Sequence, residues 1–288
     1  MNKKRGDTMK GRQHSASSVS AFSFPPRPII TLLTDFGTAD YFVAAMKGVI
    51  LGVNPNVTIV DVTHEIPPHD IEAGAFVLLT ACDAFPAGTI HVGVVDPGVG
   101  SSRRALLIRA GDQFFVGPDN GLFSYVAERL SVAEVFHLTN PKYFRDSVSQ
   151  TFNGRDVFAP VAAALSTGVT PDDLGIKVSD YVKLRSLRPD ISSKGINGRI
   201  IHIDRFGNCV TNITRSELSR EQIEAGATLK VNGRVVKSFK NYFAEATKSK
   251  DRVFAIWGSA GFLEIAVTNQ SAAKFLQAKR SDHVVVSL

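Results

Sequence analysis

Short apolar runs alternate with amphipathic stretches through the first two thirds of the chain. Residues 29–33, 57–62 and 91–95 are runs of β-forming residues bounded by turn residues, which is typical of buried strands. Residues 41–53 and 71–81 repeat apolar side chains at helical spacing. Strand and helix therefore alternate, and this order predicts a mostly parallel sheet with helices packed against it.

The same region continues with a predicted strand at residues 113–116 and predicted helices at 122–130 and 156–165. Beyond about residue 183 the helical pattern becomes scarce. Short β-like runs follow one another there, at residues 198–203, 209–213, 228–231, 253–257, 263–267 and 284–286. The sequence thus predicts an α/β domain followed by a small, mainly antiparallel β domain.

Changes in composition give the predicted boundaries. Residues 1–28 form a Ser-rich basic leader that we expect to be disordered, with a transit peptide as the alternative. The α/β domain spans residues 29–185, residues 186–194 form a linker, and residues 195–288 form the β domain. Because the leader holds six Lys and Arg against one acid, it carries most of the net charge of +6.

Composition excludes several classes of protein. With 44% hydrophobic and 21% charged residues, the chain reads as an ordinary globular protein. The body has no basic stripe, so we expect no nucleic-acid partner. It has no run of about 18 apolar residues, so we expect no membrane span. Cys82 and Cys209 lie far apart, and we expect reduced thiols and a cytoplasmic location.

Three acids each follow a β-like run: Asp35, Asp96 and Asp204. Each precedes a glycine-containing turn. A single aspartate at the end of a strand is more often a turn former or a helix cap than a functional group. Three of them in one chain favour a ligand site, because open α/β sheets bind ligands beyond the carboxyl ends of their strands.

Asp96 is followed by the turn Pro97–Gly100 and then by two arginines, Arg103 and Arg104. A guanidinium beside Asp96 would keep the carboxylate ionised, and the pair could orient a water molecule. Arg103 is the first candidate partner and Arg104 is its rival. The alternative is a purely structural ion pair across the turn.

Two further segments combine aromatic, amide and charged residues. Residues 151–156 read Thr-Phe-Asn-Gly-Arg-Asp, and residues 204–208 read Asp-Arg-Phe-Gly-Asn. Asp and Asn side chains at such spacing could bind ribose hydroxyls or the ammonium group of an amino acid. The alternatives are that Arg155 and Asp156 simply open a helix and that Phe152 belongs to the core.

Metal and cofactor signatures are weak. His64 and His69 flank two prolines with acids nearby, but the metal-binding spacings HxH and HxxxH do not occur. The glycine patterns of dinucleotide-binding and P-loop proteins are missing, as is the Gly-x-Ser-x-Gly elbow of hydrolases. We therefore expect no metal.

Taken together, these segments resemble the S-adenosylmethionine (SAM) hydroxide adenosyltransferases, a family related to the bacterial fluorinase and chlorinase. The matching pieces run in family order from residue 29 to the end, at residues 34–37, 96–104, 117–121, 151–156, 206–208 and 258–261. The resemblance implies a mostly parallel α/β sandwich domain followed by a smaller antiparallel β-barrel-like domain. It implies a homotrimer with sites between subunits, a small-molecule substrate, and no cofactor.

The implied reaction is attack of water or hydroxide on C5′ of SAM, which releases adenosine and L-methionine. Asp96 and Arg103 would position the water. The resemblance assigns ribose to Asp35 and the methionine ammonium and carboxylate to Asp204 and Ser259. The remaining implied substrate contacts are the adenine pocket of Phe206, Asn208 and Phe243, together with Phe36, His69, Phe152 and Glu264.

The chain departs from the hydrolase pattern at one position. The hydrolases carry His where this chain has Asn153, and that His completes an Asp–Arg–His group around the water. An asparagine can hydrogen-bond a water but does not titrate near neutrality. The alternatives are therefore a SAM- or adenosine-binding protein with weak or no catalysis, or a SAM-dependent halogenase. An anionic Asp96 beside a halide would oppose the halogenase.

Overall fold

The computed structural model describes residues 27–193, 195–246 and 251–288. The prediction of a disordered leader at residues 1–28 falls, except for its last two residues, outside the described residues. Among the described residues, no helix is long and apolar enough to cross a membrane.

The first domain is a seven-stranded sheet with helices on its faces. Its strands are β1 (Ile29–Thr34), β2 (Thr58–Thr63), β3 (Ile90–Val94), β4 (Ala105–Ala110), β5 (Gln113–Pro118), β6 (Val132–Leu138) and β7 (Gly175–Val178). Its helices are α1 (Phe42–Val53), α2 (Ile71–Cys82), α3 (Ser124–Leu130), α4 (Ala159–Ser166) and α5 (Pro171–Leu174).

The strand order β2-β1-β3-β5-β4-β6-β7 corrects the prediction of a mostly parallel sheet. The pairs β1–β2, β1–β3 and β3–β5 are parallel, as the alternation of strand and helix predicts. The pairs β4–β5, β4–β6 and β6–β7 are antiparallel. Only Gly111 and Asp112 separate β4 from β5, and so short a connection can join antiparallel strands only.

The helix predicted at residues 156–165 begins differently in the structure. A π-helical turn spans Gly154–Phe158 and leads directly into α4. Pro160 follows this turn and has no N–H to donate, and the Asp156 carbonyl, four residues earlier, instead accepts from the Arg145 N–H at 3.0 Å. Such π turns are often found at functional sites.

The second domain is a nine-stranded sheet. Its strands are β8 (Asp190–Ser192), β9 (Gly195–Ile203), β10 (Cys209–Thr214), β11 (Thr228–Val231), β12 (Arg234–Val236), β13 (Phe239–Lys240), β14 (Val253–Trp257), β15 (Phe262–Val267) and β16 (His283–Ser287). Three short helices accompany them, α6 (Arg220–Glu224), α7 (Phe243–Ala246) and α8 (Ala272–Leu276).

The strand order of this sheet is β12-β11-β16-β9-β10-β15-β14-β13, with β8 paired to β9. All its pairs are antiparallel except β13–β14. The order begins at β12 and ends at β13, so hydrogen bonds between the described strands do not close it into a barrel. Residues 186–194, the predicted linker, are not wholly irregular. They contain β8, in which Asp190–Ser192 pairs with the start of β9.

An apolar interface joins the two domains. Phe76 of α2 packs in one buried cluster with Ile201, Val210 and Phe262 of the second sheet. The Phe76 ring also stacks on His202, with 5.0 Å between ring centroids. The shared core fixes the loops of one domain relative to those of the other.

Candidate active site

The site begins in the loops that follow the neighbouring parallel strands β1 and β2. Asp35 follows β1 directly, and Gly37, at φ +66°, donates its N–H to the His64 carbonyl at 2.7 Å. His69, in the loop after β2, has φ +67°, and its backbone N–H donates to Asp35 Oδ2 at 2.8 Å. The two loops are therefore tied together at the carboxyl edge of the sheet. A left-handed histidine is an uncommon conformation of the kind that recurs at functional sites.

A bidentate ion pair follows β3 at the same edge. Arg103 Nε donates to Asp96 Oδ1 at 2.7 Å, and Arg103 Nη2 pairs with Asp96 Oδ2. The side chains are only 10% and 5% exposed, respectively. The guanidinium lies 5.4 Å from the centroid of the Phe158 ring. Its Nη1 donates to the Arg104 carbonyl at 3.2 Å. This geometry holds a carboxylate and a guanidinium in one fixed arrangement.

Arg104, the rival partner of Asp96, is engaged elsewhere. Its Nε donates to Asp119 Oδ2 at 2.8 Å, and its Nη1 donates to Asp180 Oδ1 at 3.0 Å. The hydrogen bonds that Arg104 donates to Asp180 and Asp119 raise the pKa of Arg104 above its usual value. Of the two arginines, only Arg103 therefore faces Asp96.

Asn153 completes a three-residue cluster with this pair. It immediately precedes the π-helical turn Gly154–Phe158. With its amide oriented to satisfy both polar atoms, Asn153 Oδ1 accepts from Arg103 Nη2 at 2.9 Å, and its Nδ2 donates to the Ser149 carbonyl at 3.2 Å. The structure thus brings Asn153 to Asp96 and Arg103, which precede it by 57 and 50 positions in the sequence.

Asp156 supports the segment that carries Asn153. It is fully buried, and its Oδ2 accepts from the Ser149 N–H at 2.8 Å. Arg155 donates to its two oxygens at 2.6 and 2.9 Å. Burial alone would raise the pKa of Asp156, but the hydrogen bonds from Arg155 and Ser149 hold that pKa below its usual range. An ionised Asp156 therefore fixes the loop on which Asn153 depends.

Aromatic rings form a wall beside these polar groups. Phe36 lies with its ring centroid 5.9 Å from that of Phe152, and Phe42 lies 5.2 Å from the same ring. Phe152 is buried, as the core alternative expected, whereas the adjacent Tyr41 is 63% exposed. The wall therefore has one buried face and one face open to a ligand or another chain.

A second group of the candidate residues lies in the loop between β9 and β10. Asp204 Oδ1 accepts from the backbone N–H of Phe206 at 2.9 Å and from that of Asn208 at 2.8 Å. Asn208 Nδ2 donates to Asp204 Oδ2 at 2.9 Å. This compact turn leaves the Phe206 side chain 79% exposed while Asn208 is buried.

A cavity of about 560 Å³ opens at this loop. Phe206, Asn208 and Phe243 line it, so the three residues predicted to hold an adenine share one cavity. Phe243 is 53% exposed and packs edge-on against Phe254, with ring centroids 6.1 Å apart. Sequence patterns gave no sign of the remaining lining residues, Val267, Asn269, Gln270 and Ser271.

Glu264 and Ser259 lie at the β14–β15 hairpin. Glu264 is a β15 residue, and burial, with a smaller contribution from the charge of Asp204, raises the pKa of its carboxyl group. Ser259 is exposed in the turn. A Cβ atom at Gly258 would overlap the Glu264 carboxylate, so a larger residue at this position would displace that carboxylate.

The three acids at strand ends therefore separate into two places. Asp35 and Asp96 lie at one edge of the first sheet, after the adjacent strands β1 and β3, whereas Asp204 belongs to the second sheet. Within residues 27–193, 195–246 and 251–288, no hydrogen bond or ion pair joins Asp35, Asp96, Arg103 or Asn153 to the second group. The described part of the chain has no group of three or more His, Cys, Asp or Glu side chains that could hold a metal ion. The two ring nitrogens of His64 lie 2.9 Å from Thr34 Oγ1 and 3.1 Å from Asp61 Oδ1.

Comparison with known proteins gives a consistent result along the chain. Residues 30–175 match the SAM hydroxide adenosyltransferase N-terminal domain, and residues 198–285 match the corresponding C-terminal domain. An (R)-S-adenosyl-L-methionine hydrolase of Methanocaldococcus jannaschii is 39% identical over 90% of this chain and 95% of its own length. A fluorinase of an Actinoplanes species is 31% identical over 83% and 90%, respectively.

A solved structure extends the comparison to the fold. An uncharacterized conserved protein from Thermotoga maritima superposes with a TM-score of 0.83 at 34% sequence identity. The match covers 90% of this chain and 100% of that one. The two-domain arrangement is therefore shared along essentially the whole described chain.

Proposed function

The chain belongs to the SAM hydroxide adenosyltransferase family, and we propose that it hydrolyses SAM to adenosine and L-methionine. The cluster of Asp96, Arg103 and Asn153 at the carboxyl edge of the sheet carries this proposal. The Methanocaldococcus relative, an (R)-S-adenosyl-L-methionine hydrolase, supports the same activity and specifies the (R) form of the substrate. We propose that this chain also acts on the (R) form.

In the proposed reaction, an oxygen–carbon bond forms between water and C5′ while the C5′–sulfur bond breaks. The bonding electron pair passes to sulfur, which becomes the neutral thioether of methionine. One proton of the water is released in each turnover, and its positive charge replaces the positive charge that the sulfonium loses. Because the sulfonium is already a good leaving group, the principal task of the site is to hold a water in line with the C5′–S bond.

Arg103 and Asp96 suit this positioning task. Asp96 offers acceptor oxygens that orient the water, and the Arg103 charge stabilises hydroxide-like character as the water loses its proton. Their side chains are 5% and 10% exposed, so bulk water screens the pair little. We assign Asn153 a positioning role, since its amide contacts Arg103 Nη2 and the Ser149 carbonyl.

The remaining candidate residues are assigned to the substrate. Asp35 is held by the His69 backbone N–H and would accept hydrogen bonds from the ribose hydroxyls. Asp204 and Ser259 would bind the methionine ammonium and carboxylate. The adenine would enter the 560 Å³ cavity between Phe206 and Phe243. Phe36, Phe152 and Glu264 would border the same substrate.

A homotrimer with sites between subunits fits these assignments. The residues proposed for water and ribose lie on the first domain, and those proposed for adenine and methionine lie on the second. Phe206 and Tyr41, on different domains, are 79% and 63% exposed, and a neighbouring copy could cover both.

We also propose a cytoplasmic location, because Cys82 and Cys209 are free, buried thiols of the kind found in reducing compartments.

Incubation of the purified chain with SAM tests the function. We expect adenosine and methionine in equal amounts, with one proton released for each pair. Tight SAM binding without product would instead identify a binding protein. A 5′-halo-adenosine formed on addition of chloride or fluoride would identify a halogenase, which the Asp96 carboxylate opposes. Sedimentation of the same sample tests the trimer.

A further inference from the structure

A polar cleft separate from the proposed active site lies where the two domains and their connection meet. It encloses about 490 Å³ and is lined by residues of α2, β9 and β16 and by residues of the segment 185–190 that connects the domains. Its charged lining comprises Arg185, Arg188, Arg199, Glu72 and Asp190, with His283 beside them. None of these residues belongs to the clusters assigned above to water, ribose, adenine or methionine.

Arg199 forms the buried end of this cleft. The residue is 6% exposed, and its backbone N–H donates to Asn212 Oδ1 at 2.6 Å. Its Nη2 donates to the Ser186 carbonyl at 3.1 Å, while Glu72 Oε1 lies 3.8 Å from the same nitrogen, beyond hydrogen-bond distance. A guanidinium carries five N–H donors. Arg199 uses some of them on the Ser186 carbonyl and the Tyr125 hydroxyl, which leaves further N–H groups for a ligand.

The nearest acid does not cancel this charge. Glu72 Oε1 accepts from the Tyr125 hydroxyl at 3.0 Å, and Glu72 Oε2 lies 3.8 Å from Arg280 Nε. Its carboxylate is thus shared between two arginines and a phenol. The lining keeps one net positive charge, because the three arginines outnumber Glu72 and Asp190.

The outer residues can adapt to a ligand. The Arg188 side chain is 84% exposed, and its Nε lies 3.4 Å from Glu128 Oε1, a loose surface pair that is worth little. Asp190 and Asn197 are exposed in the same lining and offer acceptors for hydroxyl groups. Convergent arginines suit a phosphate, whose oxygens they bind bidentately.

We propose that this cleft binds a phosphate-bearing small molecule. Arg199 forms its fixed base, and Arg185 and Arg188 close over the phosphate. Asp190 and Asn197 contact a hydroxylated body such as a sugar. Because the cleft is lined by both domains and by the segment between them, an occupant would bridge them without entering the proposed active site.

Calorimetry on the full chain, saturated with adenosine and methionine to fill the proposed active site, tests this assignment. The titrants are inorganic phosphate, ribose 5-phosphate, and ribose as the uncharged control. We expect both phosphates to bind at one site per chain, more weakly as salt is added, and ribose not to bind. Tighter binding of ribose 5-phosphate than of phosphate would support the sugar contacts, and equal binding would restrict the site to the phosphate group.

The informative variants are Arg185→Gln and Arg188→Gln. Each should weaken phosphate binding by about tenfold, the loss expected for one charge-assisted hydrogen bond. Arg220→Gln is the matched control for Arg188, because the Arg220 side chain is also 84% exposed and paired with a glutamate. Absence of phosphate binding, or equal weakening by Arg220→Gln, would overturn the proposal. Both variants leave the buried Arg199 intact, so neither should prevent folding.

Discussion

The substitution Asp96→Asn separates the role of the ion pair in stability from its role in turnover. The amide keeps the size of the side chain but removes the charge that faces Arg103. Because the two side chains are 5% and 10% exposed, the guanidinium would remain almost buried without a counter-charge. Breaking a buried pair from one side costs roughly 3–5 kcal/mol of the free energy of unfolding.

We expect a loss near 3 kcal/mol, at the lower end of that range. Arg103 keeps two acceptors in the variant, the Arg104 carbonyl at 3.2 Å and Asn153 Oδ1 at 2.9 Å. Turnover should fall by more than about tenfold, since the water loses a charged acceptor worth roughly 1.5–3 kcal/mol. Denaturant unfolding measures the stability, and adenosine release at saturating SAM measures the turnover.

Asp119→Asn is the matched control. Asp119 is also 5% exposed and paired with an arginine, but Arg104 retains Asp180 as a second partner. This variant should lose stability and keep its turnover per folded molecule. If Asp96→Asn, corrected for folded fraction, turned over at the wild-type rate, the assignment of Asp96 to the water would be wrong.

Three further predictions concern single residues. Asn153→His should introduce an ionisation at or below about pH 6.5 into the pH profile of kcat. Turnover should fall at lower pH, because a positively charged imidazolium would face Arg103. A pH profile identical to that of the wild type would contradict the contact between residue 153 and Arg103. His91 is fully buried, and burial lowers its pKa to about 4, so the unfolded chain binds the extra proton first as pH falls. The contribution of His91 to the free energy of unfolding should therefore be fully present above about pH 6.5 and should decline by about 3 kcal/mol towards pH 4. Urea unfolding at several pH values measures this decline, and His91→Gln should lack it. Phe206→Ala should raise the KM for SAM several-fold and leave kcat within about twofold of the wild-type value. The reason is that the ring is 79% exposed and is proposed to contact adenine. An unchanged KM would show that Phe206 does not contact the substrate.

Local sequence patterns located most elements of the first domain. The spacing of apolar residues predicted α1 and α2 to within a residue or two of Phe42–Val53 and Ile71–Cys82. It missed β6 (Val132–Leu138), and the expected mostly parallel sheet did not allow for the antiparallel pairs that β4 forms with β5 and β6. Strand direction depends on which edge of the sheet a strand joins, and periodicity along the chain carries no such information.

The candidate residues were recognisable because their motifs are long and unusual. The proximity of Asp96 and Arg103 follows from a turn of seven residues, so the sequence could predict it. It could not choose between Arg103 and Arg104, since both follow the same turn. The choice depends on Asp119 and Asp180, which the fold brings to Arg104 from distant parts of the chain.

The sequence by itself determined the alternation of elements, the family resemblance and the residue types available for chemistry. Only the tertiary structure decided which of them meet. It joined Asn153 to Arg103, tied His69 to Asp35, and separated Asp204 from the other two strand-end acids. The physical reason is that a hydrogen bond or ion pair requires contact within a few ångströms, and packing of the two sheets sets that distance.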